Sequence, residues 1–136
     1  MNIPLDSLDW EDIVENAEEE LYVADLGCGT ADYHPTLEDA ITSITSQHGY
    51  EGSVKIFGIE TDETKLEIAR NQNTGENFQY INKKLEQGQS YTDIDGGFDV
   101  VLSQHLMCEA DNPAEVNTEA ERLGKDTGYN QIHTTC

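Results

Sequence analysis

The sequence predicts a doubly wound α/β fold built on a mainly parallel sheet. The first observation is that short apolar runs alternate four times with segments of helical periodicity along 136 residues, which is the pattern of successive βαβ units. The second is a glycine-containing turn directly after the first apolar run, and the third is an acid at the end of the second run. Ligands of such sheets bind at the carboxyl ends of the strands. Both features are therefore expected at one edge of the sheet.

The first 20 residues predict one amphipathic helix. Apolar side chains recur at helical spacing from Trp10 to Ala17, which gives the segment one face to bury. Asp6 or Ser7 precedes this pattern at a position suited to an N-cap.

Five apolar runs and three further helical patterns follow in alternation. Pro35 suits the first turn of the helix that follows the glycine turn, and Pro113 suits the first turn of the last helix. Thr61 or Asp62 would cap the helix between them. The predicted strands are LYVADL, SVKIFGIE, NFQYI, GFDVVLS and GYNQIHTT. The predicted helices are PTLEDAITSITSQHG, DETKLEIARNQN and NPAEVNTEAERLG.

The chain is strongly acidic, with 28 Asp and Glu against 7 Lys and Arg and a net charge of −21. Three explanations are open: adaptation to molar salt, where the screening length falls to about 3 Å; an acidic module with a basic partner; and disorder. Because the acids are spread between periodic apolar segments, halophilic adaptation is favoured. The same charge argues against nucleic acid as a direct target, since phosphate binding relies on Lys and Arg.

The chain is expected to be a single cytoplasmic domain. No apolar segment reaches the length of a membrane span, and the N-terminus lacks the basic region and apolar core of a signal peptide. The three cysteines have neither a disulfide framework nor metal-site spacing, so no metal is expected. Within the domain 1–136, residues 1–20 are expected to form the N-terminal helix and residues 21–136 the α/β core that contains the glycine turn.

The glycine turn reads Gly27-Cys28-Gly29-Thr30-Ala31. A dinucleotide-binding fingerprint requires a third glycine and an acid about 20 residues further on. Here the third glycine is absent, and the acid that ends the second strand, Glu60, lies 31 residues after Gly29. Both differences weaken the prediction of a dinucleotide cofactor. A P-loop is excluded because no Gly-Lys-Ser/Thr follows the turn.

Four blocks, in this order, resemble the class I S-adenosylmethionine-dependent methyltransferase family. They are VADLGCGTA, KIFGIETDETKLEIAR, FDVVLSQHLMCEADNP and EAERLGKDTGY. Together they span roughly residues 21–134. The resemblance implies a Rossmann-like sheet, S-adenosylmethionine as the cofactor, and an enzyme that transfers a methyl group to a small-molecule or protein acceptor. The sequence does not identify that acceptor.

The resemblance also assigns residues to the cofactor. Asp25 would help to hold its ammonium end, and the backbone of Gly27 and Gly29, with Cys28 between them, would let its methionine part approach closely. Glu60 would accept hydrogen bonds from the two ribose hydroxyls, since a carboxylate is an acceptor only. Thr61 and Asp62 would border the adenine.

The end of the fourth strand would border the methyl group and the acceptor. The resemblance places Ser103 and Gln104 there. Positioning supplies much of the rate of a methyl transfer. A base is needed only where the acceptor must lose a proton, and His105 is the candidate for that role.

Three features depart from the family pattern. Ala31 stands where a third glycine is usual, and only mild crowding is expected from its methyl group. Asn82 and Lys83 follow the third strand, where the family has an acid on the adenine side. The sequence also ends before the antiparallel hairpin that completes the sheet of the family, so the fold is expected to lack it.

An unpaired sheet edge invites pairing with another chain. The chain is therefore expected to be a fragment, to have its edge covered by a second copy or another protein, or to be a catalytically inactive methyltransferase-like subunit that binds a partner. The inactive subunit is the alternative function, and a nucleotide-binding oxidoreductase is a third.

Overall fold

A computed structural model of the chain describes residues 3–86, 90–103, 113–125 and 131–133. The strands of these ranges form one sheet in which every neighbouring pair is parallel. Their order is β3-β2-β1-β4-β5, which is the doubly wound order, so the predicted fold class is confirmed. The strands are β1 (Glu20–Leu26), β2 (Ser53–Glu60), β3 (Phe78–Asn82), β4 (Val100–Ser103) and β5 (Gln131–His133).

Four helices lie within the described ranges, and each falls in a segment of predicted helical periodicity. The third is capped by Asp62, whose Oδ1 accepts hydrogen bonds from the amides of Thr64 and Lys65; this is one of the two predicted caps. The helices are α1 (Trp10–Asn16), α2 (His34–Gln47), α3 (Glu63–Gln72) and α4 (Pro113–Leu123).

The N-terminal helix differs from its prediction. It spans only Trp10–Asn16, and β1 already begins at Glu20. Its cap is Asp9, whose Oδ1 accepts from the Asp12 amide at 3.2 Å. The predicted cap at Asp6 or Ser7 is wrong, because both residues belong to a separate 3₁₀ turn.

Helices cover both faces of the sheet. Successive residues of a strand point to opposite faces, so each apolar strand has side chains to bury on both. One face buries odd-numbered residues of β1 against α1 and α2, and the other buries even-numbered residues of β1 against α4. The first cluster includes Trp10, Ile13, Leu21, Val23, Leu37, Ile41, Ile56 and Leu102. The second includes Ala24, Leu26, Ile59, Tyr91, Phe98, Val101, Ala120 and Leu123.

The segment before β1 is part of the first cluster. Leu5, Leu8 and Trp10 are buried in it, and the indole Nε1 of Trp10 donates to the Leu5 carbonyl at 2.7 Å. Burial of each large apolar side chain contributes about 1.5–3 kcal/mol. These contacts join the N-terminal segment to the same core as the sheet.

The strand order reverses between β1 and β4, because β1 pairs with β2 on one side and with β4 on the other. In register, Leu26 lies opposite Ile59 of β2 and Ser103 of β4. The carboxyl ends of three strands therefore meet at one point. This is the place where doubly wound sheets bind their ligands.

Candidate cofactor site

The turn after β1 requires glycine at two positions. Gly27 and Gly29 have φ values of +71° and +59°, in the left-handed region that side chains disfavour. The Gly27 amide donates to the Ile59 carbonyl at 2.7 Å, which ties the turn to the end of β2. A Cβ at Gly29 would meet no atom within 4 Å. The turn therefore borders open space at the carboxyl edge of the sheet.

Ala31 adopts a left-handed backbone conformation, which glycine adopts at the least cost. Its φ is +55°, and it is the one residue other than glycine with a positive φ among those the structure describes. Its side chain is fully buried beside Cys28, Leu66 and Ala69. The substitution therefore acts through the backbone, because an L residue in this region costs about 1–2 kcal/mol. The sequence had suggested mild crowding of the methyl group instead.

Gly58 of β2 lies directly beneath the turn. A Cβ at this position would come within 2.6 Å of Cys28 Sγ and 2.8 Å of Tyr80 Cδ1. Glycine is required there for close approach of the turn to the sheet. Sequence reasoning missed this residue, although a lone glycine within an apolar strand is a signal of such an approach.

Cys28 fills the space between the turn and β2. Its side chain is buried, and burial, followed by the nearby carboxylates of Asp25 and Glu60, raises the pKa of the thiol far above its ordinary value. The thiol therefore stays protonated and is not a nucleophile. Its role is packing.

Glu60 joins the glycine turn to the start of α3. Its Oε1 accepts from the Gly29 amide at 2.9 Å. Its Oε2 accepts from the Thr61 amide at 2.9 Å, the Asp62 amide at 3.1 Å and the Thr61 hydroxyl at 3.3 Å. A carboxylate has about four acceptor positions. The predicted ribose acceptor thus also organises the two loops around it.

Asn82, at the end of β3, supports the same loop. Its Nδ2 donates to the carbonyls of Glu60 at 3.2 Å and Thr61 at 2.9 Å. The residue stands near the place where the family has an acid on the adenine side. In this chain the amide holds the loop that carries Thr61 and Asp62.

Asp25 is fully buried near the end of β1. Its Oδ2 accepts from the hydroxyl of Tyr33 and lies 2.7 Å from Nε2 of His34. Burial, followed by the Asp25 carboxylate, raises the pKa of Tyr33 far above its ordinary value, so this phenol stays a donor. Oδ1 of Asp25 is also buried and has no hydrogen-bond partner among the described residues.

Ser103 ends β4 beside Leu26 of β1 and is buried. This position agrees with a place at the carboxyl edge of the sheet. Gln104 and His105 lie outside the residues that the structure describes, so their predicted roles stay predictions.

The arrangement suits a ligand that carries both a cation and hydroxyl donors. A buried carboxylate oxygen without a donor is costly unless a ligand supplies one, and Asp25 Oδ1 is such an atom. Glu60 supplies acceptors at the neighbouring strand end, and the space beside Gly29 is open. These residues therefore fit the ammonium group and the ribose of S-adenosylmethionine.

Two further residues at the site, besides Gly58, were missed in the sequence. Tyr33 and His34 follow the glycine turn directly, and both contact Asp25. Their closeness to the turn was a signal. Their contact with Asp25 depends on how the first turn of α2 is oriented, which periodicity does not give.

In the part of the chain that the structure describes, none of the helices has the length and apolarity needed to cross a membrane. The same residues contain no group of three or more His, Cys, Asp or Glu side chains arranged to hold a metal ion.

Comparison with known proteins gives the family. A family model described as a methyltransferase domain matches residues 17–136. A search of curated proteins found no match. Solved structures with the same fold include a SAM-dependent methyltransferase from Aquifex aeolicus, which is 18% identical with a TM-score of 0.59 over 89% of this chain and 61% of that one.

Two other structural neighbours agree with this result. An S-adenosylmethionine-dependent methyltransferase from Mesorhizobium loti is 18% identical with a TM-score of 0.55, over 86% of this chain and 49% of that one. The complex between the Haloferax volcanii Trm112 methyltransferase activator and a methyltransferase gives 18% identity and a TM-score of 0.58. This match covers 85% of this chain and 48% of that one. At these identities the likeness is one of fold, and the chain spans about half to three fifths of these neighbours.

The family match covers nearly the whole chain, and the sheet order and the glycine turn agree with it. The chain therefore belongs to the methyltransferase domain family, as its four sequence blocks predicted.

Proposed function

We propose that the chain binds S-adenosylmethionine at the carboxyl edge of the sheet, against the glycine turn and Glu60, and takes part in transfer of its methyl group to an acceptor. The observation that carries this proposal is the buried Oδ1 of Asp25, which has no hydrogen-bond partner in the part of the chain that the structure describes, at the end of the strand that leads into a turn with open space at Gly29. Family membership supports the cofactor, and two of the neighbours are named as dependent on it.

Each residue of the site would bind a different part of the cofactor. Asp25 binds the ammonium group, because an acceptor-only carboxylate in a buried setting pairs best with a cation. Glu60 accepts from the ribose. Of its four present donors, the Thr61 hydroxyl at 3.3 Å is the most distant, so a sugar hydroxyl would replace it at least cost. Thr61 and Asp62 border the adenine.

S-adenosylmethionine supplies a methyl group that is already activated on a sulfonium centre. The chain's contribution is then to orient the cofactor and to exclude water, which is the usual source of rate for a transfer of this kind. Ser103 is the described residue that we place next to the acceptor. Gln104 and His105 keep the roles proposed from the sequence, and the acceptor is a small molecule or a protein side chain.

Isothermal titration with S-adenosylhomocysteine, in both dilute buffer and molar KCl, tests the proposal. The wild-type protein is expected to bind with micromolar affinity. Glu60→Ala removes the acceptor for three backbone amides and the ribose, and binding is expected to be lost. Glu63→Ala is the matched control, because it removes an exposed acid three residues away whose ion pair with Arg70 is also exposed; its affinity should stay within about twofold of wild type.

Folded wild-type protein that does not bind S-adenosylhomocysteine would contradict the proposal. That result would favour the alternative, a methyltransferase-like subunit that only binds a partner. One structural neighbour was solved as a complex with an activator protein, which is a property of that neighbour. Binding of NAD in place of S-adenosylhomocysteine would instead support an oxidoreductase.

A further inference from the structure

His34, the first residue of α2, is a fully buried histidine in the protein interior. Its ring stacks on Tyr80 with centroids 5.5 Å apart and an interplanar angle of 11°. Phe78 stacks at 6.3 Å and 18°, and Tyr33 meets the ring edge-on at 5.0 Å. Three aromatic rings therefore fix the plane of the imidazole.

Hydrogen bonds fix the direction of the ring within that plane. Nε2 of His34 lies 2.7 Å from Asp25 Oδ2, and Nδ1 lies 2.9 Å from the hydroxyl of Tyr80. Asn73 Nδ2 donates to the same hydroxyl at 2.8 Å, which leaves the hydroxyl hydrogen of Tyr80 for Nδ1. Every group then has a partner when Nε2 carries the imidazole hydrogen and donates it to Asp25.

The two oxygens of the Asp25 carboxylate therefore differ in their hydrogen bonds. Tyr33 and His34 both donate to Oδ2, and Oδ1 is left buried without a partner among the described residues. A carboxylate held by two donors on one oxygen cannot rotate freely. Its second oxygen keeps acceptor capacity that the described residues do not use.

We propose that His34 is a positioning residue for the cofactor: with Tyr33 it holds Asp25 so that Oδ1 stays available to the amino-acid end of S-adenosylmethionine. The proposal rests on the proposed function. It assigns His34 no contact with the cofactor and no step in the reaction.

A merely structural histidine would behave differently. Loss of a structural contact lowers the folded fraction and therefore lowers the apparent affinity for all ligands alike. Loss of a positioning contact weakens only ligands that carry the amino-acid part. 5′-Methylthioadenosine shares the adenosine and the thioether with S-adenosylhomocysteine but lacks that part, so the two ligands separate the roles.

The experiment is isothermal titration of both ligands against the full chain in molar KCl. His34→Leu is expected to weaken binding of S-adenosylhomocysteine about tenfold, which corresponds to loss of one charge-assisted hydrogen bond. 5′-Methylthioadenosine should change by less than about twofold. His34→Gln places an amide N–H donor at the same reach as Nε2 and should recover most of the lost affinity.

Two further variants keep the test decisive. Tyr33→Phe removes the other donor to Oδ2 with little change of volume. It is expected to weaken binding of S-adenosylhomocysteine but not of 5′-methylthioadenosine. This variant replaces His34→Leu in the test if His34→Leu does not fold. Tyr91→Phe removes a buried hydroxyl that donates to Glu119 in the second cluster, and neither ligand should be affected.

Equal weakening of both ligands, or no change in either, would overturn the proposal. Equal affinities of the wild type for the two ligands would also overturn it while leaving the nucleoside site in place. Wild-type protein that binds neither ligand would overturn the proposed function and this proposal together.

Discussion

Residue 31 shows how a motif position can change its side chain and keep its backbone. The family uses glycine there, and Ala31 holds the left-handed conformation with φ at +55°. Its amide donates to the Cys28 carbonyl at 3.1 Å, and its own carbonyl accepts from Asn73 Nδ2 at 2.9 Å. These bonds and full burial hold the residue in place, so the turn keeps its shape without the third glycine.

Substitutions of Ala31 test this explanation. Ala31→Gly relieves about 1–2 kcal/mol of backbone strain. It also removes a buried methyl group, which contributes about 0.8 kcal/mol. In addition, glycine raises the conformational entropy of the unfolded chain, which lowers stability by about 0.4–1 kcal/mol. The free energy of unfolding should therefore stay within about 1 kcal/mol of wild type. Ala31→Val adds a branched side chain at a positive φ in a packed site and should lower it by about 2 kcal/mol or more.

Urea unfolding followed by circular dichroism measures both changes. Equal stability of the valine variant and the wild type would show that the backbone at this position is not left-handed in solution.

Residue positions were predictable where a motif fixes both type and order. Gly27, Gly29 and Glu60 were predicted in this way to lie at one edge of the sheet, and there the Gly29 amide donates to Glu60 Oε1. Their roles toward the cofactor, and that of Asp25, stay predictions. The contacts of His34 were not predictable, because its partners beyond Tyr33 come from two separate strands, Asp25 from β1 and Phe78 and Tyr80 from β3.

At the scale of elements, β2 and the glycine turn form one packed unit. Gly58 leaves room for Cys28 and for the ring of Tyr80, and the Gly27 amide bonds to the Ile59 carbonyl next to it. The position of the turn therefore depends on a small residue in the strand below.

Gly58→Ala is expected to lower the free energy of unfolding by about 1–3 kcal/mol, because its Cβ would overlap Cys28 Sγ and the Tyr80 ring. The change should also weaken S-adenosylhomocysteine binding, since the turn must shift. Thermal unfolding and titration measure the two effects.

Gly75→Ala is the control for this prediction. A Cβ at Gly75 would lie 3.6 Å from Phe78 Cδ2, an ordinary contact, so stability should change by less than about 0.5 kcal/mol. A Gly58→Ala variant as stable as the Gly75→Ala variant would contradict the close approach of turn and strand.

Element types followed from the sequence, because each buried strand is a short apolar run and each helix has one apolar face. The N-terminal cap did not. Several Asp and Ser residues precede Trp10, and tertiary contacts at Leu5 decide which one begins the helix: the indole of Trp10 bonds to the Leu5 carbonyl and holds residues 5–7 in their own turn.

At the scale of the whole molecule, charge is the dominant feature. A net charge of −21 on 136 residues destabilises a compact body through self-repulsion. Added salt screens that repulsion, as the screening length falls from about 10 Å at 0.1 M to about 3 Å at 1 M. Halophilic adaptation is our proposal for this composition.

The melting temperature is therefore expected to rise by about 5–10 °C between 0.1 M and 2 M KCl, which corresponds to about 2 kcal/mol. Differential scanning calorimetry measures the change. Sucrose of equal osmolality is the control, because it favours burial without screening charge and should raise the melting temperature less. A melting temperature that is flat in KCl would contradict the proposal.

The central claim is that the carboxyl edge of the sheet binds the cofactor, and amide chemical shifts of ¹⁵N-labelled protein test it most directly. On addition of S-adenosylhomocysteine, the largest shifts are predicted at the amides of Gly27, Gly29, Thr61 and Asp62, which follow the carboxyl ends of β1 and β2. Largest shifts at the opposite edge, for example at Gly96 and Gly97, or no shifts in folded protein, would contradict the claim.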